Sequence, residues 1–138
     1  MATKYSNNAK TTLAAAIDST VTTITVADAS TFPTLGVDDE MYLTLAEPYG
    51  TATEIVKCTS VSGTVLTVVR GHEGTTPLSW VVDSNVQLRL TAGLLAAVTA
   101  ETVQAAVELA IPAGGDNDSI LMKNSTTNYD LKWSDTIN

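Results

Sequence analysis

The single histidine and its acidic neighbour are the residues whose types and spacing first suggest acid–base chemistry. His72 is followed directly by Glu73, and an imidazole beside a carboxylate can move protons near neutral pH. No nucleophile, second base or cluster of metal ligands accompanies this pair in the sequence. The glycines at 71 and 74 are better explained by a tight chain reversal, because glycine permits positive φ. We therefore expect a structural loop here.

Three further groups of carboxylates invite a functional interpretation. Residues 38–40 (Asp-Asp-Glu) are adjacent, whereas ligands of a hard cation normally alternate along a loop, so a solvated loop is predicted. Residues 116–118 (Asp-Asn-Asp) resemble the start of a calcium loop, but the glycine and distal glutamate are missing. Distant carboxylates such as Glu54 and Asp83 could pair as in a glycan hydrolase, yet little chain remains to build a cleft. The sequence thus predicts no catalytic residue, no metal site and no cofactor.

Composition and charge argue against several further classes of protein. The 138 residues are enough for one ordinary domain with a modest core, and 44% of them are hydrophobic. A net charge of −8 opposes binding to nucleic acid or to an anionic membrane. The only cysteine, Cys58, excludes an intrachain disulfide, and its place in a predicted strand favours a small buried side chain. Neither a signal peptide nor an apolar run near the ~18 residues of a membrane span is present, so we expect a soluble protein.

A hairpin forms the centre of the predicted sheet. Residues 55–61 and 64–69 are dense in β-branched side chains, which suit a half-buried pleated surface. They flank residues 62–63 (Ser-Gly), a tight-turn signal. With these two residues as the loop, Val56 faces Val69 and both share one face; a three-residue loop would shift this register.

Further strands are predicted on either side of this hairpin. Residues 41–45 alternate apolar and polar side chains, which indicates a strand with one core face. Residues 11–26 and 80–90 each predict another hairpin, and Phe32 is expected to anchor the core. Five to seven short strands by residue 90 favour a mainly β fold, a small antiparallel sandwich or barrel.

The period of the apolar residues changes at Thr91, a good N-cap residue. Spacings of three and four then predict a helix with one apolar face. The residues that form this face are Leu94, Leu95, Val98, Thr102, Ala105 and Leu109. Either the face packs on the protein's own sheet, or it forms a short coiled-coil seam between identical chains; a pattern of barely two heptads leaves both open.

Two segments carry a resemblance to a known family. Residues 53–76, TEIVKCTSVSGTVLTVVRGHEGTT, resemble a segment that recurs in structural proteins of bacteriophage tails, especially tail-fibre N-terminal regions. The match continues through Trp80 and residues 86–93. A second recurring tail-fibre element is similar to residues 120–133, although residues 118–119 are Asp-Ser where the family usually has Gly-Gln. The positions that carry this second match are Leu121, Lys123, Ser125, Tyr129, Asp130 and Trp133.

The resemblance implies a structural virion protein that is not an enzyme. In such tail fibres the N-terminal region docks on the baseplate or tail tip, and a helix brings three chains together. Since no distal head follows Asn138, we expect a virion-proximal fibre, or an adaptor that links the tail to a separate receptor-binding component. Its expected partners are baseplate or fibre proteins and two further copies of itself, in the phage tail after assembly in the host cytoplasm. The alternative is a capsid decoration or cement protein.

The sequence also predicts how the chain is divided. Residues 1–10 are expected to form a polar arm and residues 11–90 an antiparallel β domain. Residues 91–111 would be a helical oligomerisation segment. Residues 112–138 would combine a linker with a C-terminal β element of two strands, since PAGGDNDS has a loop composition.

Overall fold

The computed structural model describes the backbone of residues 2–110, 120–123 and 131–134, and the side chains of residues 2–104. It is mainly β, as predicted, and its chain contacts divide it into two compact units, Met1–Thr91 and Ala92–Asn138. The strands of the first unit are β1 (Ala2–Thr3), β2 (Lys10–Thr12), β3 (Thr23–Thr25), β4 (Asp39–Ala46), β5 (Thr53–Ser62), β6 (Val65–His72) and β7 (Asn85–Gln87). The second unit contains helix α1 (Ala92–Ala110) and strands β8 (Ile120–Lys123) and β9 (Leu131–Ser134).

The first unit is a single curled sheet. Its strand order is β2-β7-β4-β5-β6-β3, all antiparallel, and β1 pairs in parallel with the start of β4. Beyond β2 and β3 the chain forms an isolated bridge between Leu13 and Val26. The amide of Ala27 also donates to the Thr12 carbonyl at 2.9 Å. The two end strands of the sheet are therefore tied together just beyond β2 and β3.

The core lies on the concave side of this sheet. Met41, Leu43 and Leu45 in β4 are completely buried, which confirms the strand predicted from their alternation. Phe32 is buried as well, as expected of a core anchor. Each fully buried aliphatic side chain contributes roughly 1.5–3 kcal/mol to folding. The buried members of this core are Ala9, Leu13, Ile17, Ile24, Val26, Phe32, Met41, Leu43, Leu45, Val56, Cys58, Leu66, Val68, Trp80 and Val86.

The central hairpin exists, but its predicted register was wrong. Ser62 pairs with Val65, so the loop residues are 63–64 and not 62–63. Two irregularities in β5 shift the pairing further, and Val69 is 47% exposed on the outer face. The buried neighbour of Cys58 is Val68. Gly63, with φ of 59°, supplies the positive φ at the first loop position. Moving a two-residue loop by one residue moves the pairing by two and keeps the faces, so the irregularity between Cys58 and Ser60 is what places Val68, and not Val69, on the core face.

Of the two flanking hairpins, the one at 11–26 is present only as a short antiparallel contact, and the one at 80–90 was predicted incorrectly. Strand β2 pairs with β7, where Thr11 lies opposite Val86, and meets the 23–26 segment only at its end. Trp80 bridges Ile17, while β7 pairs with β2 and β4. The N-terminal residues also belong to the sheet through β1 and β2. These contacts join distant parts of the sequence, so local alternation of side chains cannot identify the partners.

The second unit begins with the predicted helix. Helix α1 starts directly after Thr91, and inside it the hydroxyls of Thr99 and Thr102 donate to carbonyls four residues earlier, at 2.9 and 2.8 Å. Strands β8 and β9 pair antiparallel, with Leu121 opposite Trp133. Ser125, Tyr129 and Asp130 of the second tail-fibre-like element lie outside the described residues.

The described part of the chain contains no helix with both the length and the apolar character needed to cross a bilayer.

Candidate functional site

A buried ion pair links the start of β5 to the end of β6. Arg70 Nε lies 2.7 Å from Glu54 Oε1, and Arg70 Nη2 lies 2.8 Å from Glu54 Oε2. Glu54 is completely buried and the arginine side chain is only 5% exposed. Two parallel bonds between a guanidinium and a carboxylate are both strong and geometrically specific. The pair therefore fixes β5 and β6 relative to each other at this end of the sheet.

Glu54 is the acceptor for three further donors. The amides of Gly71 and Leu78 each donate to it at 3.1 Å, and Trp80 Nε1 donates at 2.9 Å. Burial raises the pKa of Glu54, but the hydrogen bonds from Arg70 and Trp80, with those from the two amides, hold its pKa below the usual value. The carboxylate is consequently ionised at neutral pH and is surrounded by donors.

The remaining N–H groups of Arg70 donate hydrogen bonds to backbone carbonyls. Nη1 donates to the carbonyls of Asp18 and Val21, both at 2.9 Å, and Nη2 donates to that of Leu78 at 2.6 Å. All five N–H groups of the guanidinium thus have an acceptor. Together Glu54 and Arg70 hold the 18–21 turn and residues 78–80 against the sheet. This arrangement is structural in character, because neither side chain keeps a group free for a substrate.

The structure gives Glu54 a different partner from the one considered for a catalytic pair. Asp83 is exposed and lies in a turn with φ of 66°. One sequence signal could have revealed the ion pair: Glu54 and Arg70 continue the inward-facing positions of Val56 and Val68 on neighbouring strands. Opposite charges at inward positions of paired strands are expected to neutralise each other.

The only histidine belongs to a half-buried group on the outer face of the sheet. We call Glu40, Tyr42, Lys57 and His72 the outer-face cluster. The rings of Tyr42 and His72 meet edge to face with centroids 5.2 Å apart. The Tyr42 hydroxyl donates to Glu40 Oε1 at 3.0 Å, and Lys57 Nζ lies 3.6 Å from Glu40 Oε2. Burial, reinforced by the Glu40 carboxylate, raises the pKa of Tyr42 to about 12.

The outer-face cluster corrects the prediction made for the acidic run at 38–40. Asp39 and Glu40 belong to β4 and not to a solvated loop, and Glu40 is buried. Asp39 Oδ2 accepts a hydrogen bond from the Gly36 amide at 2.8 Å, and Lys4 lies 3.5 Å away. Glu73, next to His72, accepts a hydrogen bond from the Thr91 hydroxyl. These carboxylates stabilise turns and strand ends.

Two other predictions from the sequence concern a metal site and the single cysteine. Within the described residues, no three His, Cys, Asp or Glu side chains are grouped so that they could hold a metal ion, and residues 116–118 lie outside the described part. Cys58 is buried, as expected, and burial raises the pKa of its thiol to about 11. A thiol in that state is a poor nucleophile.

The residues predicted to join chains occupy different positions on α1. Leu95 and Val98 are 54% and 48% exposed, and Thr102 is exposed beside them. Leu94, by contrast, is buried. Ala105 and Leu109 fall within α1, but their side chains lie outside the described residues. Val103, which is not one of the six residues of the predicted apolar face, is also exposed.

Comparison of the sequence with models of known protein families and with curated proteins gives no match.

Proposed function

We propose that this protein is a structural component of a bacteriophage virion, a virion-proximal tail fibre or a fibre adaptor that assembles as a homotrimer through α1. It would link the tail or baseplate to a distal receptor-binding component. The observation that carries the proposal is the exposed helix face, which we define as Leu95, Val98, Thr102 and Val103. The phage assignment and the number of chains rest on the sequence resemblance.

The composition of α1 supports a role in association. A helix on a protein surface normally turns a polar face to water, yet Glu101 is the only charged residue between positions 92 and 104. Leu95, Val98 and Thr102 follow the three-then-four spacing of a coiled-coil seam. An exposed apolar stripe of this kind typically marks a protein–protein contact. A second and a third copy of the same helix would cover it.

The polar centres of the first unit support a structural role over a catalytic one. Glu54 and Arg70 satisfy each other and the backbone around them, and the outer-face cluster is likewise joined by internal contacts. Proteins that act through assembly need such rigid frames, since symmetry multiplies weak contacts into a stable appendage.

The mass of the purified chain in solution tests the role of α1. By light scattering on a size-exclusion column we expect three times the chain mass of 14.4 kDa. Leu95→Asp should reduce this to the monomer and leave the β-sheet circular dichroism signal intact, because a charge at the seam is buried only in the assembly. Ala97→Asp, on the opposite side of the helix, introduces the same residue and should remain trimeric. A monomeric wild-type chain would refute the trimer.

The virion assignment needs a separate experiment. Particles of the source phage can be dissociated and their heads and tails separated, and the chain quantified in each fraction by mass spectrometry. We expect it with the tails, and we expect the purified chain to bind the neighbouring fibre protein. Recovery with the heads would instead establish the decoration role, and absence of binding would remove the adaptor role.

A further inference from the structure

One end of the curled sheet brings several exposed segments of the first unit together. Ala46, the last residue of β4, pairs with Thr53 of β5 on one side and with Asn85 of β7 on the other. The hairpin loop at 47–52 and the turn at 81–84 therefore lie next to each other, beyond the ends of these strands.

A third segment runs along the same end. The amide of Leu13 donates to the Ser84 carbonyl at 2.9 Å, that of Asp83 donates to the Leu13 carbonyl at 2.9 Å, and Ile17 bridges Trp80. The residues between these two contacts consequently follow the 81–84 turn. We call the resulting patch the apolar end surface; it consists of Ala14, Ala15, Ala16, Tyr49, Val81 and Val82.

The apolar end surface exposes large hydrophobic side chains to solvent. Tyr49 is fully exposed, and Val81 and Val82 are 63% and 50% exposed. The surface also rests on a rigid support, because Trp80 is buried and donates to the Glu54 carboxylate. Clustered exposed apolar side chains mark interaction sites, and tyrosine is among the residues that contribute most to binding at interfaces.

The charges around this surface have one sign. Asp18, Glu47 and Asp83 are exposed at its rim. The cation at this end is Arg70, which is buried in its pair with Glu54. The other basic side chains of residues 2–104 lie elsewhere: Lys4 and Lys57 pair with carboxylates at the start of β4, and Lys10 and Arg89 adjoin Gln87.

These charges indicate what kind of partner can cover the surface. Two copies of this chain meeting face to face would bring like charges together, which disfavours a self-contact. We propose that the apolar end surface binds a different protein, whose contact surface has an apolar centre and a rim of lysine or arginine. The inference concerns only the first unit, so it stands apart from the association of chains through α1.

Binding to defined proteins tests this inference. The probes are the proteins encoded beside this chain in its source genome, each purified and measured against the full-length chain by biolayer interferometry. We expect one of them to bind, and we expect Tyr49→Ser to weaken that binding at least about tenfold, as loss of an interface anchor does. Val37→Ser is the matched control, because Val37 is almost fully exposed in a different loop and its loss should leave the affinity within about twofold.

The charged rim is tested on the same pair of proteins. Glu47→Lys should weaken binding about tenfold, and so should raising the NaCl concentration from about 50 to about 300 mM, because salt screens charges at a rim. Failure of every probe to bind, an affinity insensitive to salt, or equal losses for Val37→Ser and Tyr49→Ser would overturn the proposal. If Tyr49→Ser instead lowers the mass of the chain alone, the surface binds a second copy and the proposal is wrong.

Discussion

At the scale of single residues, the most important contact that the sequence analysis did not predict is the buried ion pair of Glu54 and Arg70. Burying two ions costs several kcal/mol each unless they are paired and hydrogen-bonded, so inward-facing opposite charges on neighbouring strands predict such a pair. The assumed hairpin register placed Val69 on the core face and therefore Arg70 on the outer face. The irregularity between Cys58 and Ser60, which the alternation of side chains does not reveal, reverses the two faces of β6 and brings Arg70 to the core side.

The first prediction concerns the charge of Glu54. Glu54→Gln keeps the size of the side chain but leaves the buried Arg70 guanidinium without its counter-charge, which costs about 3–5 kcal/mol. It also replaces an acceptor oxygen by an NH₂ group that faces other donors. Urea denaturation should show this loss of unfolding free energy.

Asp83→Asn is the control for this substitution. It removes a carboxylate from an exposed turn where asparagine tolerates the positive φ, and it should change stability by less than about 0.5 kcal/mol. A loss below about 1 kcal/mol for Glu54→Gln would mean that the ion pair does not stabilise the fold.

The second prediction follows from the lowered pKa of Glu54. Its ordinary value is 4.5 and its folded value lies below that, so the unfolded chain binds the proton more readily. The contribution of Glu54 to stability is therefore fully present above pH 4.5 and disappears as the pH falls through the folded pKa. Urea unfolding midpoints should change little between neutral pH and that value and should then decrease.

Measuring the same pH dependence of stability in Glu54→Gln distinguishes the contribution of Glu54 from that of other carboxylates. Asp18, Asp28 and Asp39 also have lowered pKa values, because Thr20, Ser30 and Gly36 respectively donate to them. Asp18 and Asp28 are exposed and Asp39 is half-buried, and the effect of all three should persist in the variant. An acid dependence as steep in Glu54→Gln as in the wild type would show that Glu54 contributes none of it.

At the scale of elements, the sequence predicted what depends on neighbouring residues. The alternation at 41–45 identified β4, and the change of period at Thr91 identified α1. Pairing partners were missed because Thr11 and Val86 are far apart in sequence, and alternation carries no information about which strand lies alongside. The exposed helix face was predicted in part, since periodicity groups Leu94 with Leu95 although only Leu95 is exposed.

The third prediction compares two glycines that end or connect strands. Both have positive φ, 59° at Gly63 and 65° at Gly71. A Cβ at Gly63 would meet nothing within 4 Å, whereas a Cβ at Gly71 would lie 2.8 Å from Pro77 Cδ and 3.0 Å from the Thr75 carbonyl oxygen. Gly63→Ala should cost about 1 kcal/mol for its backbone conformation.

Gly71→Ala carries the same backbone cost and a steric clash in addition. The clash should add about 1–3 kcal/mol, the range found when a well-packed site is overfilled. It also displaces the Gly71 amide that donates to Glu54. Thermal and urea unfolding of the two variants measure the difference, and equal losses would contradict the close packing of the 71–77 loop.

At the scale of the whole molecule, the main buried core and the proposed surface of association lie in different units. Among residues 2–104, the main cluster of buried hydrophobic residues lies between positions 9 and 86, and the groups bound to Glu54 and Arg70 lie between positions 18 and 80. The exposed helix face lies in the second unit. With this division, the first unit can form its sheet before the proposed association of chains through α1.

The fourth prediction tests this separation with a fragment of residues 1–91. Because its core and its buried ion pair are both complete, the fragment should unfold cooperatively in urea with β-type circular dichroism. By light scattering it should be a monomer, whereas the full chain should be a trimer. A fragment that fails to fold would show that the sheet depends on the second unit. A folded but trimeric fragment would move the contact between chains from α1 to the sheet, and the exposed helix face would then be free to bind another protein.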